Sequence, residues 1–301
     1  MNQERVAMKT FTPGPIVVFG ATGLQGGAVA RAVAAQGVPV RAVVRNLVAP
    51  GAVALARLGV EVVTGDMAVP ASVSSAMQGA SGVFSVQPSS GQAGSPVTDE
   101  QEVTFGATLV EIAERHHIEH LVYSSAMAAS HGLSGIPHFD TKVRIEELVR
   151  QSSVPITTII RPATFMEFLI PAKSDVANGT VSFLMHPDQA MQFVATVDIG
   201  RVVSKIFALP AAYRGRSLAL AGDELTGNQM ATAVAAHSGS TVRYTRIPIS
   251  VLRDEMPLLS RLADLVDAGP LAGDVVLPEL RTEFPFLHTF PSWLSQQGAI
   301  I

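Results

Sequence analysis

Residues 16–27 read Ile-Val-Val-Phe-Gly-Ala-Thr-Gly-Leu-Gln-Gly-Gly, and no other stretch of the chain restricts the fold so tightly. A short apolar run ends on Gly20, and an alanine-rich, helix-prone segment follows over 27–36. That pattern is a strand, a tight turn and a helix. Gly20 lets the chain leave the strand sharply, Gly23 lacks a Cβ that would hold a ligand off the backbone, and Gly26 lets helix and strand pack closely. The helix opens with amides that have no partner of their own and with the positive end of its dipole, a ready seat for a pyrophosphate. Thr22, Leu24 and Gln25 complete the turn, Thr22 and Gln25 with side-chain hydrogen-bonding groups. A glycine turn without a ligand is the plain alternative. The motif's place inside a strand–helix–strand unit of about 30 residues argues against it.

The same rhythm continues. Apolar runs at 38–44, 60–63, 83–86, 121–123 and 156–160 alternate with helix-prone stretches at 52–58, 73–77, 100–116 and 141–150. Strands that are apolar throughout are covered on both faces, as in a parallel sheet between helical layers. The predicted fold class is α/β, a doubly wound parallel sheet of the Rossmann type over residues 14–162. Beyond Arg161 and Pro162, short strands (181–184, 191–195, 217–221, 242–246) mix with helices at 198–208 and 227–236. A smaller α+β lobe is expected over 163–301, returning a strand or two to the sheet. Residues 87–95, rich in Ser, Gly and Pro, read as a mobile loop. Phe284, Phe286, Phe290 and Trp293, so close together, suggest a docked tail.

Charge and composition narrow the partners. With 21 Lys and Arg against 25 Asp and Glu, a net charge of −4 and no basic run, direct nucleic-acid binding is not expected. The apolar runs fall far short of the roughly 20 residues that span a bilayer, and residues 1–15 lack the apolar core of a secretory signal. There is no cysteine, so disulfides, thiolate metal sites and a cysteine nucleophile are absent. These features fit a cytoplasmic protein whose partners are small molecules, another protein or a second copy of itself. His116, His117 and His120 have metal-ligand spacing, but they sit at a helix end, where the dipole favours a solvated cationic histidine. No metal is expected. The Gly-x-Ser-x-Gly pattern of a hydrolase is missing around Ser124 and Ser125.

Three further segments bear on the ligand. The second strand ends at Val43-Val44-Arg45-Asn46. An acidic residue there would bond a ribose 2′-hydroxyl, whereas an arginine pairs with a 2′-phosphate. Arg45 therefore points to NADP(H) over NAD(H), the alternative being a solvated surface arginine. Asp66 and Met67, just after the third strand, are placed to meet the adenine. Ser85, Val86 and Gln87 close the fourth strand and are expected beside the nicotinamide ribose.

With these residues in view, the sequence resembles the NmrA-like branch of the atypical short-chain dehydrogenases/reductases. The resemblance rests on residues 17–27, Arg45, Gly65-Asp66, Ser124-Ser125, His138-Phe139-Asp140-Thr141-Lys142 and the run from Arg161 to Glu167. It is strong to about residue 170 and looser beyond. It implies a Rossmann domain, a small C-terminal lobe and a cleft between them. It also implies a divided function. Some members are dinucleotide-binding redox sensors that regulate transcription through a protein partner. Others reduce quinones, azo dyes or phenylpropanoids, and relatives occur among tailoring enzymes of aromatic polyketides, where oxygenation has been proposed.

Catalytic short-chain dehydrogenases use a serine after the fifth strand and a Tyr-x-x-x-Lys pair, in which the lysine lowers the tyrosine pKa and holds the nicotinamide ribose. This chain keeps Ser125 and Lys142, but His138 stands where the tyrosine would be. Either His138, titrating near neutrality, relays the proton itself, or the position is vestigial and Lys142 only holds the dinucleotide. Ser125 would orient the substrate oxygen. His131, Phe139, Phe165, Met166, Phe168 and Phe193 would form an apolar wall for a flat substrate, or else be ordinary core between the lobes. Phe168 replaces an asparagine frequent in the family. Two functions remain open: an NADPH-dependent oxidoreductase acting on a small apolar carbonyl, quinone or aromatic, with a tailoring monooxygenase as a variant, and a non-catalytic redox sensor acting on a protein partner.

Overall fold

The first half of the chain forms β1 (Ile16–Val18), α1 (Leu24–Ala34), β2 (Val40–Val44), α2 (Pro50–Arg57), β3 (Glu61–Thr64), α3 (Pro70–Met77), β4 (Gly82–Ser85), α4 (Asp99–Arg115), β5 (His120–Ser124), α5 (Pro137–Gln151) and β6 (Ile156–Pro162). The second half forms β7 (Thr164–Phe165), β8 (Thr180–Phe183), β9 (Met191–Val194), α6 (Thr196–Ala208), α7 (Pro210–Tyr213), β10 (Ser217–Leu220), β11 (Asp223–Leu225), α8 (Gly227–Ser238), β12 (Arg243–Arg246), α9 (Ile249–Glu255), α10 (Pro257–Ala268), α11 (Leu277–Glu283) and α12 (Phe290–Leu294). This computed structural model describes residues 14–89, 95–169, 178–255, 257–269 and 272–297. The middle of the expected loop at 87–95 lies outside those residues.

Seven strands pair in parallel in the order β10-β6-β5-β4-β1-β2-β3. Alternation along each strand sends neighbouring side chains to opposite faces. Val18, Val44, Phe84, Val122 and Ile160 pack with Val29 and Val33 of α1, Leu55 of α2, and Ile199 and Val203 of α6. Val17, Phe19, Val83, Leu121, Tyr123 and Ile159 pack with Met77 of α3, Ile112 of α4, and Ile145 and Val149 of α5. The result is the doubly wound α/β sandwich expected from the sequence.

The chain visits the sheet twice. It leaves after β6 for the smaller lobe, returns as α6 and β10, and leaves again. Helix α6 lies so close to α1 that a Cβ on Gly200 would fall 2.5 Å from the Ala28 carbonyl oxygen. The smaller lobe has a β11-β9-β7 sheet and a β12–β8 pair, and its core joins Met191 and Phe193 to Met230 and Val234 of α8 and to Trp293 of α12. The C-terminal segment is docked. Phe284 stacks on Tyr213, Phe290 is fully buried, and the Asp198 carboxylate accepts from both the backbone N–H and Nδ1 of His288, at 2.7 and 2.8 Å.

The observed elements differ from the expected ones mainly at their ends. Helix α1 begins at Leu24, taking the glycines into its first turn, and α5 begins with Pro137 at its first position. Helices α7 and α9 to α12 and strands β7 and β11 were not expected. Apart from α10, which has 12 residues, they are short. Among the described residues, no helix is long and apolar enough to cross a membrane.

Candidate functional site

The carboxyl ends of the central strands share one edge. Val18 pairs with Ala42 of β2 and Phe84 of β4, and Ser85 pairs with Tyr123 of β5. The chain order reverses between β1 and β4, which in an open α/β sheet opens a crevice for a ligand. The glycine turn lies at that point. Gly20 has φ +66°, and the Gly23 N–H donates to its carbonyl at 2.9 Å. A Cβ on Gly26 would collide with that carbonyl, so the third glycine is a packing requirement. Gly20, Thr22, Gly23 and Leu24 are exposed, and no side chain caps α1. The first amides of the helix are left to an external acceptor. Gln25 has another attachment: its Oε1 accepts from Ser124 Oγ at 2.6 Å, which ties the turn to the end of β5.

Arg45 is exposed immediately after β2 and has no ion-pair partner among the described residues. Asp66 and Met67 are half-buried. The Asp66 carboxylate accepts from the Ala68 N–H at 2.9 Å, and Met67 packs on the α3 and α4 side of the sheet. At the end of β4, Gln87 Nε2 donates to Ser85 Oγ at 2.8 Å. The Gln87 carbonyl oxygen is buried without a hydrogen-bond partner among the described residues. Val86 abuts the turn, since its Cγ1 lies 2.8 Å from where a Gly20 Cβ would sit.

A charged group lies beneath this edge. Lys142 Nζ donates to Glu102 Oε1 of α4 at 2.7 Å, with both side chains buried. Lys142 also reaches Ser89 Oγ at 3.4 Å, and Ser89 Oγ lies 2.8 Å from His138 Nδ1. Burial, reinforced by the nearby Lys142 charge, lowers the His138 pKa to about 3. The expectation that His138 titrates near neutrality is therefore corrected: this imidazole is neutral at ordinary pH. One turn along α5, burial alone would raise the Glu146 carboxyl, but Arg161, Ser125 and Arg150 hold it below the usual carboxylate range. Arg161 binds it with Nε at 2.9 Å and Nη2 at 2.6 Å. Ser125 is buried against this carboxylate, without a hydrogen bond of good geometry.

The six residues of the expected apolar wall do not form one surface. Met166 and Phe193 are fully buried and belong to the core of the smaller lobe: Phe193 lies on β9 and Met166 on the helical turn that follows β7. Phe139 is buried in a small cluster with Ala128, Ile136, and Leu262 and Leu265 of α10. His131 is exposed, 4.0 Å from Asp274. Phe165 and Phe168 stack with centroids 5.4 Å apart, and Phe168 is 60% exposed. Phe168, with the half-buried Phe165 stacked on it, and His131 are the parts of the expected wall that reach the surface.

The histidines around 116–120 also differ from a solvated helix end. His116 Nε2 bonds Ser74 Oγ at 2.7 Å, and His117 takes a left-handed backbone with φ 52°. His120 is buried on β5, where desolvation and then Arg214 lower its pKa to about 4. Sequence reasoning missed Glu102, Ser89 and Glu146. A signal existed for the two acids: Glu102 precedes Gly106, Leu109 and Ala113 on the buried stripe of α4, and Glu146 lies between Lys142 and Val149 on that of α5. A carboxylate on a buried helix face needs a partner.

A model of the NmrA-like family matches residues 13–271. The NmrA-like family domain-containing oxidoreductase malD of Malbranchea aurantiaca is 27% identical over 252 residues, covering 77% of this chain and 75% of its own. Triphenylmethane reductase of Citrobacter sp., solved with NADP(H), superposes with a TM-score of 0.77 at 20% identity, over 94% of this chain and 99% of its own. NmrA, a negative transcriptional regulator solved with NADP, gives 0.76 at 22% identity, over 94% and 95%. The glycine turn at the reversal of strand order and the match across both lobes lead to one conclusion: this chain belongs to the NmrA-like family.

Proposed function

We propose that this protein is an NADPH-dependent oxidoreductase that reduces a small, flat, apolar carbonyl, quinone or conjugated aromatic compound. The observation that carries this reading is the open cradle at the start of α1: an exposed turn over 22–24, a helix start with no side-chain cap, and an exposed Arg45 with no ion-pair partner among the described residues. The residues fit a nicotinamide dinucleotide phosphate. The amides of Leu24, Gln25 and Gly26 would hold the pyrophosphate, and Arg45 would hold the 2′-phosphate. Asp66 and Met67 would border the adenine. The buried Gln87 oxygen, with no donor among the described residues, calls for a ligand group or water to pair it. Ser85 and Val86 would flank the same part of the molecule. When bound, the dihydronicotinamide supplies the hydride. Lys142, fixed by Glu102, supplies donors for the ribose, and the Phe165–Phe168 pair offers a ring face to an aromatic substrate.

Mixing the protein with NADPH and a panel of quinones and aryl ketones in a stopped-flow instrument tests this. Loss of NADPH absorbance with at least one acceptor is expected. A protein that binds NADPH yet is silent across the panel would favour the second reading, a dinucleotide sensor acting through a protein partner. That reading draws on a specific feature: the tyrosine of the catalytic pair is replaced by His138, which is held neutral. It predicts capture of a partner in only one redox state of the dinucleotide.

A further inference from the structure

We infer that Ser89, on the segment after β4, is a positioning residue that couples Lys142 to His138 and fixes His138 as a neutral Nε2–H donor. The inference rests on the oxidoreductase reading above and deepens it. The first hydrogen-bond direction follows from what each group can do, and the second is what we infer. An ammonium only donates, so Lys142 Nζ, anchored on Glu102 Oε1 at 2.7 Å, gives a proton to Ser89 Oγ across 3.4 Å. Ser89 Oγ keeps its own proton to give, and we assign it to His138 Nδ1, 2.8 Å away, over the reverse direction that the second lone pair of the oxygen would allow. A neutral imidazole that accepts at Nδ1 carries its proton on Nε2. The ring is further held by the edge of Phe139, with centroids 4.9 Å apart.

The arrangement supplies a hydroxyl where the sequence lacks the usual phenol. It comes from a residue 53 positions before the lysine instead of four. Reduction of a carbonyl by the dihydronicotinamide forms a carbon–hydrogen bond and breaks the carbon–oxygen π bond, so the oxygen needs one proton. His138 Nε2–H donates it, Nδ1 takes the Ser89 proton, and Ser89 Oγ takes one from Lys142 Nζ. Solvent then restores the Lys142 proton. A developing alkoxide is a far stronger base than an amine, so the transfer runs toward the substrate even with Glu102 stabilising the ammonium.

The closing experiment reads the tautomer directly. Protein carrying 15N-labelled histidine is examined by long-range 1H–15N correlation without dinucleotide, the His138 signals being identified by their loss in His138→Gln. Nδ1 is expected unprotonated and Nε2 protonated throughout pH 6 to 8. In Ser89→Ala the two nitrogen shifts should move toward each other as the tautomers mix. Turnover should fall at least about 10-fold, less than the roughly 100-fold at the low end of acid–base assistance because His138 itself remains, with dinucleotide affinity retained. Ser89→Thr, which keeps the hydroxyl, should restore both readings. A wild-type His138 protonated at Nδ1 overturns the inference, as does a Ser89→Ala protein with tautomer and turnover unchanged. If Ser89→Ala does not fold, the wild-type spectrum and Ser89→Thr still decide. Failure to bind any dinucleotide would sink the functional reading and leave the tautomer result standing.

Discussion

Arg45 and Lys142 carry the same formal charge and differ in how it is used. Lys142 is buried on Glu102, so its charge is committed within the protein. Arg45 is exposed at the end of β2, with its guanidinium left for a doubly charged phosphate that it can grip with two parallel bonds. NADPH should therefore bind several-fold tighter than NADH. Arg45→Asp should reverse the order, because a carboxylate repels the 2′-phosphate and accepts from a ribose 2′-hydroxyl. Calorimetric titration of both dinucleotides into both proteins checks this, and equal affinities throughout would remove Arg45 from the site. The difference also explains what the sequence could disclose. Gly20 and Gly26 act within one turn, and Arg45 directly ends the next strand, so local spacing exposes them. Ser89 and Glu102 meet the α5 lysine across 53 and 40 positions, and nothing local announces such a meeting except an acid on an apolar stripe. Met166 and Phe193 misled for the converse reason: residue type suggests a pocket, but their places on β9 and on the turn after β7 put both in the core of the smaller lobe.

The strands of the sheet were legible because most carry an apolar run with glycine or proline nearby, whereas α9 and α11 are seven residues each and depend on what they pack against. Helix α6 joins the two cases. Its buried face of Ile199, Val202, Val203 and Ile206 reads as helix, but its seat on α1 depends on Gly200. Replacing Gly200 by alanine sets two effects against each other. Helix propensity favours alanine by about 1 kcal/mol. The new methyl would meet the Ala28 backbone, 2.5 Å from its oxygen and 2.7 Å from its carbonyl carbon, and backbone cannot rotate away as a side chain can. Overpacking of this kind costs about 1–3 kcal/mol, so the clash should win. Gly200→Ala should lower the urea midpoint by the equivalent of about 1 kcal/mol. Because α1 presents the phosphate-binding amides, the same variant should weaken NADPH binding. A stabilised variant would show that the two helices part without strain.

At the scale of the whole molecule, the lobes and the tail are held by groups that respond to acid. His120 on β5 lies edge-on to Phe207 of α6, with centroids 5.2 Å apart. Its Nε2 donates to Thr158 Oγ1 of β6, which in turn donates to the Tyr213 carbonyl of α7. Strands and returning segment thus share one buried neutral imidazole. Its folded pKa of about 4 lies below the usual 6.5, so as pH falls through that window the unfolded chain takes up a proton that the native one refuses. Stability is full above pH 6.5 and is lost progressively toward pH 4, with a limiting slope of about 1.4 kcal/mol per pH unit for one group. His138, whose pKa burial lowers to about 3, acts in the same direction. Glu146 and Glu283, both held low by arginines, add their losses only below about pH 4.5. Asp198, raised by burial against the pull of His288, opposes them there by binding a proton more readily in the folded state. Between pH 6 and 5 the histidines therefore dominate. Urea unfolding across that interval should show stability falling with pH, and His120→Gln, which can still donate to Thr158, should remove about 1 kcal/mol per pH unit of the slope. An unchanged slope in that variant would mean that His120 is charged in the folded protein, and the buried tie between β5, β6 and α7 would have to be reassigned.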